Sequence, residues 1–203
     1  WHLADSENLN SIISEFNSAF NILFLNNIKY LLLPVIHRAY EKKINEIMAL
    51  CSKSLDNSIA QAATLSNFGE IFQSNVINNF KICCHAPGVN VLKNKFAGLP
   101  AIIVSAGPSF DFNIEKLKKF KDKFIIIAVD TVYGKLIQND IIPHFTVTID
   151  PQNKSYYHFK NFKQSGFFIS CMIASSKVLE SINQNCFFFV SDYPLAMFLE
   201  GLS

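Results

Sequence analysis

The chain has 203 residues, enough for one α/β domain with an appendage or for two small domains. Half of the residues are hydrophobic and 20 are phenylalanines, so a sizeable core is available. The net charge of +2 is too small to indicate a nucleic acid partner. The densest basic run, residues 116–123, alternates with apolar residues and is typical of a solvated helix face.

The cysteine pattern and the apolar segments indicate a cytoplasmic protein without a membrane span. The five cysteines have no metal-ligand spacing, and an odd count favours buried, reduced thiols. Asp5 and Glu7 occupy the place where a signal peptide is basic. The most apolar stretch, residues 22–36, is interrupted by polar residues and Pro34, and it is shorter than the ~20 residues of a transmembrane helix.

Residues 1–80 predict a helical N-terminal region, because apolar residues recur there at helical spacing and glycine and proline are rare. Pro34 is expected to kink or divide a long helix. Asp56 predicts the start of a helix that ends at Leu65, and residues 67–69 predict the start of another. Residues 81–99, with Pro87-Gly88 and Gly98, are interpreted as a connector.

Residues 100–203 predict a Rossmann-like α/β domain with a doubly wound, mainly parallel sheet. Short apolar runs alternate with helical patterns, as in parallel sheets. Continuous apolar strands indicate a sheet covered on both faces. The predicted strands are residues 101–104, 124–129, 145–149, 167–170 and 187–190, and the predicted helices are residues 113–120, 131–138, 153–159, 175–181 and 194–199.

The turn after the first predicted strand is a candidate phosphate-binding site. Ser105-Ala106-Gly107-Pro108-Ser109 joins the strand to a helix, whose start offers unpaired N–H groups and a positive dipole end. Gly107 has no Cβ to obstruct the approach of a ligand, and Pro108 fixes φ. Ser105 and Ser109 carry hydroxyls. The alternative is an ordinary turn in which Ser109 caps the helix.

Aspartates follow the next two predicted strands, at the edge where parallel sheets bind ligands. Asp130 and Asp150 could bind a ribose hydroxyl, a base edge or a metal, or each could simply cap the following helix. His144 is expected at the opposite rim. The segments 156–158 and 191–194 are close enough in sequence to reach a ligand, although half-buried packing is the more common role of such residues.

Several linked motifs closely resemble the central domain of the motility accessory factor (Maf) family, a domain that is also similar to 6-hydroxymethylpterin diphosphokinases. The likeness extends from about residue 81 to the end of the chain. It rests on Ala86-Pro87-Gly88-Val89, Leu92-Lys93-Asn94-Lys95-Phe96, Pro100-Ala101-Ile102-Ile103-Val104-Ser105-Ala106-Gly107-Pro108-Ser109, Ile127-Ala128-Val129-Asp130-Thr131 and Val147-Thr148-Ile149-Asp150-Pro151.

The resemblance implies a cytoplasmic glycosyltransferase that serves bacterial motility. Maf proteins are implicated in transferring nonulosonic, sialic-acid-like sugars from a CMP-activated donor to serine or threonine of flagellin. Gly107, Pro108 and Ser109 would then face the nucleotide phosphate, with Asp130 and Asp150 near ribose, base or sugar. The family continues into further strands and a helical domain, so the domain at 100–203 is expected to be truncated on its C-terminal side and incomplete alone.

Two other functions stay open. A diphosphokinase that moves diphosphate from ATP to 6-hydroxymethyl-dihydropterin would need Mg²⁺, with Asp130 or Asp150 among its ligands. A non-catalytic module could bind a nucleotide or dock on flagellin. No nucleophilic triad or P-loop lysine is present in the sequence, and the residues predict no catalytic base, no resident cofactor and no protein-bound metal cluster.

Overall fold

A computed structural model describes residue 31, residues 33–182 and residues 185–201. The chain divides into two compact units, Trp1–Gly69 and Glu70–Ser203. The division falls inside a helix, so the domain boundaries predicted at residues 80 and 99 stay predictions. The apolar helical pattern before residue 31 lies outside the described residues.

The first helices differ in part from the predicted ones. Helix α1, Pro34–Ala39, begins at Pro34. Proline is tolerated at this position because the first N–H of a helix has no partner within the helix. Helix α2, Glu41–His85, is continuous, so the predicted starts at Asp56 and at residues 67–69 are wrong. One aspartate or glycine in a long helix costs only about 1 kcal/mol, which is too little to end it.

The second unit contains a five-stranded, all-parallel sheet in the order β1-β2-β3-β4-β5. The predicted α/β fold, with a parallel sheet after a helical region, is confirmed. The described strands follow one another in sequence order, so the order reversal of a doubly wound sheet is not among them. The strands are β1 (Ala101–Val104), β2 (Ile125–Val129), β3 (Phe145–Val147), β4 (Phe167–Ser170) and β5 (Cys186–Phe188).

Helices connect the strands much as the sequence predicts. They are α3 (Pro108–Phe120), α4 (Asp130–Gln138), α5 (Ser176–Ile182) and α6 (Pro194–Glu200). The main difference is α3, which begins five residues before the predicted start because Pro108 takes its first position. Short 3₁₀ helices occupy Val89–Leu92, Lys121–Lys123 and Asn153–His158, the last in place of a predicted α-helix.

The two faces of the sheet are covered unequally. Paired residues Val104, Ala128, Thr146, Phe168 and Cys186 form one buried row across all five strands, and helices α3, α4 and α5 pack on this face.

On the other face, Ile103 is 76% exposed and Phe167 is 48% exposed. Phe145, Phe167 and Phe187 cover part of it by packing against one another, with ring centroids 5.6–6.5 Å apart. Phe145 is buried on this face and packs edge-on against Phe96 at 5.4 Å. In the described part of the chain, therefore, one face is fully covered and the other only in part.

No helix in the described ranges combines the length and the apolar character needed to cross a membrane. The expected burial of the thiols is confirmed for Cys51, Cys171 and Cys186, whereas Cys83 is half-buried and Cys84 is exposed. Burial, with Cys171 nearby, raises the pKa of the Cys186 thiol to about 12. Cys186 therefore behaves as a small apolar residue of the core.

Candidate functional site

The turn between β1 and α3 leaves its small residues accessible. Gly107 is the N-cap of α3 in extended conformation (φ −99°, ψ 165°). The Gly107 N–H donates to the Ser105 carbonyl at 2.9 Å, and the Phe110 N–H donates to the Gly107 carbonyl at 3.0 Å. Ser109 is exposed in the first turn of α3, after the N-cap, so the alternative in which it caps the helix is wrong.

A cleft of about 350 Å³ lies between the free side of β1 and α3. Its polar lining consists of Ser105, Ser109, Asn113 and Lys116. Among the described lining residues, Lys116 carries the only charge, which suits an anionic ligand. Sequence reasoning did not single out Lys116, because it is one of several lysines on an amphipathic helix. Its position on the face of α3 toward β1 distinguishes it.

Asp130 is held in place by two hydrogen bonds. It is the first residue of α4, whose N-cap is Val129. Its Oδ1 accepts the Thr131 N–H at 2.7 Å, and its Oδ2 accepts the hydroxyl of the buried Thr148 at 3.4 Å. Asp130 is therefore not the N-cap residue, although its carboxylate does accept an N–H of the first turn. Thr148 is a site residue that sequence reasoning missed, although it lies only two residues before Asp150.

The surroundings of Asp130 oppose its ionisation. Burial raises the pKa of this carboxyl, and the nearby Asp150 carboxylate raises it further. The Thr131 N–H, His158 and the Thr148 hydroxyl act in the opposite direction but do not cancel the effect of burial. Structural ion pairs also perturb carboxyl groups, but a half-buried aspartate at the ligand edge of a parallel sheet is a candidate binding group.

Asp150 follows β3 and lies near Asp130. Its Oδ1 accepts the Gln152 N–H at 2.8 Å, and its backbone carbonyl accepts the Ser175 N–H at 3.0 Å. The N-cap of the next 3₁₀ helix is Gln152, so the capping role considered for Asp150 is wrong as well.

The predicted site residues fall into two neighbouring groups. Ser105 and Ser109 line the cleft beside β1. Gly107 and Pro108 lie between them in the sequence, at the start of α3, and are not among the described lining residues. Asp130 and Asp150 interact at the carboxyl ends of β2 and β3. Because these strands are consecutive in the sheet, about 5 Å apart, one elongated ligand could span both groups.

Other residues considered from the sequence have structural contacts. The Nδ1 of His144 accepts the Ile126 N–H at 3.1 Å. The Tyr156 ring contacts the Lys177 ammonium, with 4.9 Å from Nζ to the ring centroid. The Tyr193 ring packs edge-on against Phe72 at 5.5 Å. Of residues 156–158, His158 is the one that acts electrostatically on Asp130.

The donor set is sparse for a metal. Within the ranges that the structure describes, no three His, Cys, Asp or Glu side chains converge on one point. Mg²⁺ takes one or two protein carboxylates together with substrate phosphates and water. Asp130 and Asp150 fit only that shared type of site.

Fold and site together define a parallel α/β protein whose candidate ligand site lies at the carboxyl edge of the sheet. The sequence model of the 6-hydroxymethylpterin diphosphokinase MptE-like family matches residues 74–202, which is more than half of the chain. The chain belongs to this family, as its motifs predict.

Individual proteins are also similar to the chain. An uncharacterized protein of Treponema pallidum (strain Nichols) is 29% identical over 120 residues, which cover 57% of this chain and 53% of that protein. The MAf glycosyltransferase from Magnetospirillum magneticum AMB-1 is 16% identical with a TM-score of 0.47, over 71% of this chain and 24% of that one. The chain thus spans about half the length of its curated relative.

Proposed function

We propose that the chain is the nucleotide-sugar-binding part of a cytoplasmic glycosyltransferase of the Maf type. The donor would be a CMP-activated nonulosonic sugar, and the acceptor would be serine or threonine of flagellin. The observation that supports the proposal is the cleft beside β1, which is lined by two serine hydroxyls near the start of α3 and, further along that helix, by Lys116, the only charged side chain among the described lining residues.

The chemistry of sugar transfer fits these groups. When the bond between the sugar and CMP breaks, negative charge develops on the departing phosphate. The Ser109 N–H at the positive dipole end of α3 and the Lys116 ammonium of the same cleft would stabilise that charge. We assign a catalytic base for the acceptor hydroxyl to none of the described residues.

Asp130 and Asp150 would bind the ribose. Ribose hydroxyls are hydrogen-bond donors, and the carboxylates provide acceptors at the edge next to the cleft. Each carboxylate already accepts at least one hydrogen bond from the protein, which fixes its orientation. An oriented acceptor loses little side-chain entropy when the ligand binds.

A second candidate is a Mg²⁺-dependent diphosphokinase that acts on a pterin. It is favoured by the name of the family whose model matches residues 74–202. In this function, Asp130 or Asp150 would share Mg²⁺ with the ATP phosphates, because charge that develops on the transferred group must be neutralised.

Calorimetric titration of the purified chain with CMP and with ATP, each with Mg²⁺ and with EDTA, separates the two functions. Under the glycosyltransferase proposal, CMP binds with similar affinity in Mg²⁺ and in EDTA. Binding of ATP alone, and only with Mg²⁺, would support the diphosphokinase instead. Absence of binding by either nucleotide would contradict both.

A further inference from the structure

Two buried asparagines lie one turn apart on α2, at the carboxyl edge of the sheet. Asn75 is 5% exposed and Asn79 is fully buried. The Nδ2 of Asn75 donates to the carbonyls of Pro151 (2.9 Å) and Ile173 (3.0 Å), and its Oδ1 accepts the Ser176 N–H at 3.4 Å. Asn75 thus joins the loop after β3 to the loop after β4.

Asn79 makes a parallel set of bonds. Its Nδ2 donates to the carbonyls of Met172 and Ala174, both at 2.8 Å. Both side-chain protons are used, which aspartate, leucine or alanine could not reproduce. In the described structure the Oδ1 of Asn79 is buried without a partner, so the residue retains a desolvation cost. The contribution of the Asn79 side chain is therefore to hold the carbonyls of Met172 and Ala174 through its two donated hydrogen bonds.

The loop after β4 in turn holds the segment that carries Asp150. The Ser175 N–H donates to the Asp150 carbonyl at 3.0 Å, and the Ser175 hydroxyl donates to the Asn153 Oδ1 at 2.9 Å. A continuous series of hydrogen bonds therefore runs from α2 through residues 171–175 to residues 150–153.

We propose that Asn75 and Asn79 are positioning residues that set the place of Asp150 through these two loops. The inference rests on the proposed function, because it gives Asp150 a ligand to bind. Loops are the most mobile parts of a fold, and a site built on them needs support from rigid elements. Helix α2 supplies that support by bonding four loop carbonyls with two side chains.

The proposal is tested by comparing the Asn75→Ala variant with a control variant, Asn78→Ala, on the same helix. Asn78 is exposed, and its Nδ2 contacts only the Ser74 hydroxyl, at 3.4 Å, among the hydrogen bonds described. The readouts are amide hydrogen exchange in the whole chain, followed by mass spectrometry, and CMP affinity by calorimetry. Exchange in β2 reports general stability.

We expect Asn75→Ala to speed exchange about tenfold in residues 150–153 and 171–176 and to leave β2 unchanged. CMP affinity should fall about tenfold, and Asn78→Ala should match the wild type in both readouts. Unchanged loop exchange in Asn75→Ala, or equally faster exchange in β2, would overturn the proposal.

Ser175→Ala is a milder second variant that removes only the bond to Asn153. It should speed exchange in residues 150–153 and leave unchanged the rates of the amides in residues 172–174, which include the two carbonyls that Asn79 bonds. An unchanged rate in residues 150–153 would count against the series of bonds. If the wild-type chain binds no CMP, the proposed function fails, and the exchange data still decide the role of the asparagines.

Discussion

Gly166→Ala is expected to destabilise the protein by about 3 kcal/mol, as judged from backbone strain and steric overlap. Gly166 has φ +80°, a conformation that favours glycine, and directly precedes β4. A Cβ at this position would overlap the carbonyl oxygen of Pro143. Because that oxygen belongs to the backbone, no side-chain rotation relieves the overlap. Urea denaturation measures the loss.

Substitutions at two other glycines distinguish the effect of backbone strain on stability from the effect of steric overlap. Gly98 has a similar φ of +82°, but no atom of the described residues lies within 4 Å of the place that a Cβ would take, so Gly98→Ala should lose only about 1 kcal/mol. Gly69 lies inside α2, also with open space, and Gly69→Ala should gain about 0.5–1 kcal/mol of stability. A Gly166→Ala variant as stable as Gly98→Ala would contradict the steric account.

Asp130→Asn is expected to weaken CMP binding at least about tenfold while making the free protein more stable at neutral pH. The amide Oδ1 can still accept the Thr131 N–H, and the Nδ2 can donate to the Thr148 hydroxyl oxygen, which reverses the direction of that bond. The substitution removes a charge that burial disfavours. It also offers the ribose one acceptor in place of two. Calorimetry measures the affinity, and thermal denaturation measures the stability.

The stability gain should depend on pH. Because the pKa of Asp130 is raised in the folded state, the folded state binds this proton more tightly than the unfolded state does. The aspartate therefore favours folding below its ordinary pKa of 3.8, and this contribution is lost as the pH rises through the higher folded-state value. The advantage of Asp130→Asn should appear at neutral pH and vanish below 3.8.

Asp122→Asn is the matched control for Asp130→Asn, since Asp122 is exposed in the 3₁₀ helix that precedes β2. The same chemical change there should leave CMP affinity unchanged. Equal effects of the two substitutions would show that general charge, rather than the placement of Asp130, governs binding.

Local patterns predicted the sheet well because each parallel strand is a short apolar run bounded by polar residues. β1 and β4 have the predicted bounds. The continuous helix α2 was missed because the signals at Asp56 and Gly69 are weak local preferences that a 45-residue helix overrides. The incomplete cover of one sheet face by the described residues could not be predicted from strand composition, since apolar runs do not indicate which face is covered.

The sequence predicted only those residues of the candidate site that come shortly after the end of a strand. Gly107, Asp130 and Asp150 are each placed by the end of a strand, which the sequence marks. Thr148 and Lys116 are placed by tertiary packing: one contacts Asp130, and the other lines the cleft beside β1. The bonds of Asn75 to Pro151 and Ile173 join residues 76 and 98 positions apart, beyond the reach of any local pattern.

The central claim is that a nucleotide phosphate binds at the Gly107 turn, and CMP titration of Gly107→Ala tests it most directly. A Cβ at Gly107 would lie 3.9 Å from the Ser109 hydroxyl, the nearest atom of the described residues beyond its chain neighbours, so the fold should tolerate it. Under the proposal, the same Cβ would obstruct the phosphate. Gly88 is the control: it is also an extended N-cap, with 3.9 Å to the nearest atom, but it pairs with Phe188 of β5 at the far edge of the sheet.

We expect Gly107→Ala to weaken CMP binding about tenfold or more with unchanged thermal stability, and Gly88→Ala to bind CMP as the wild type does. Wild-type affinity in Gly107→Ala, or an equal loss in both variants, would contradict phosphate binding at this turn.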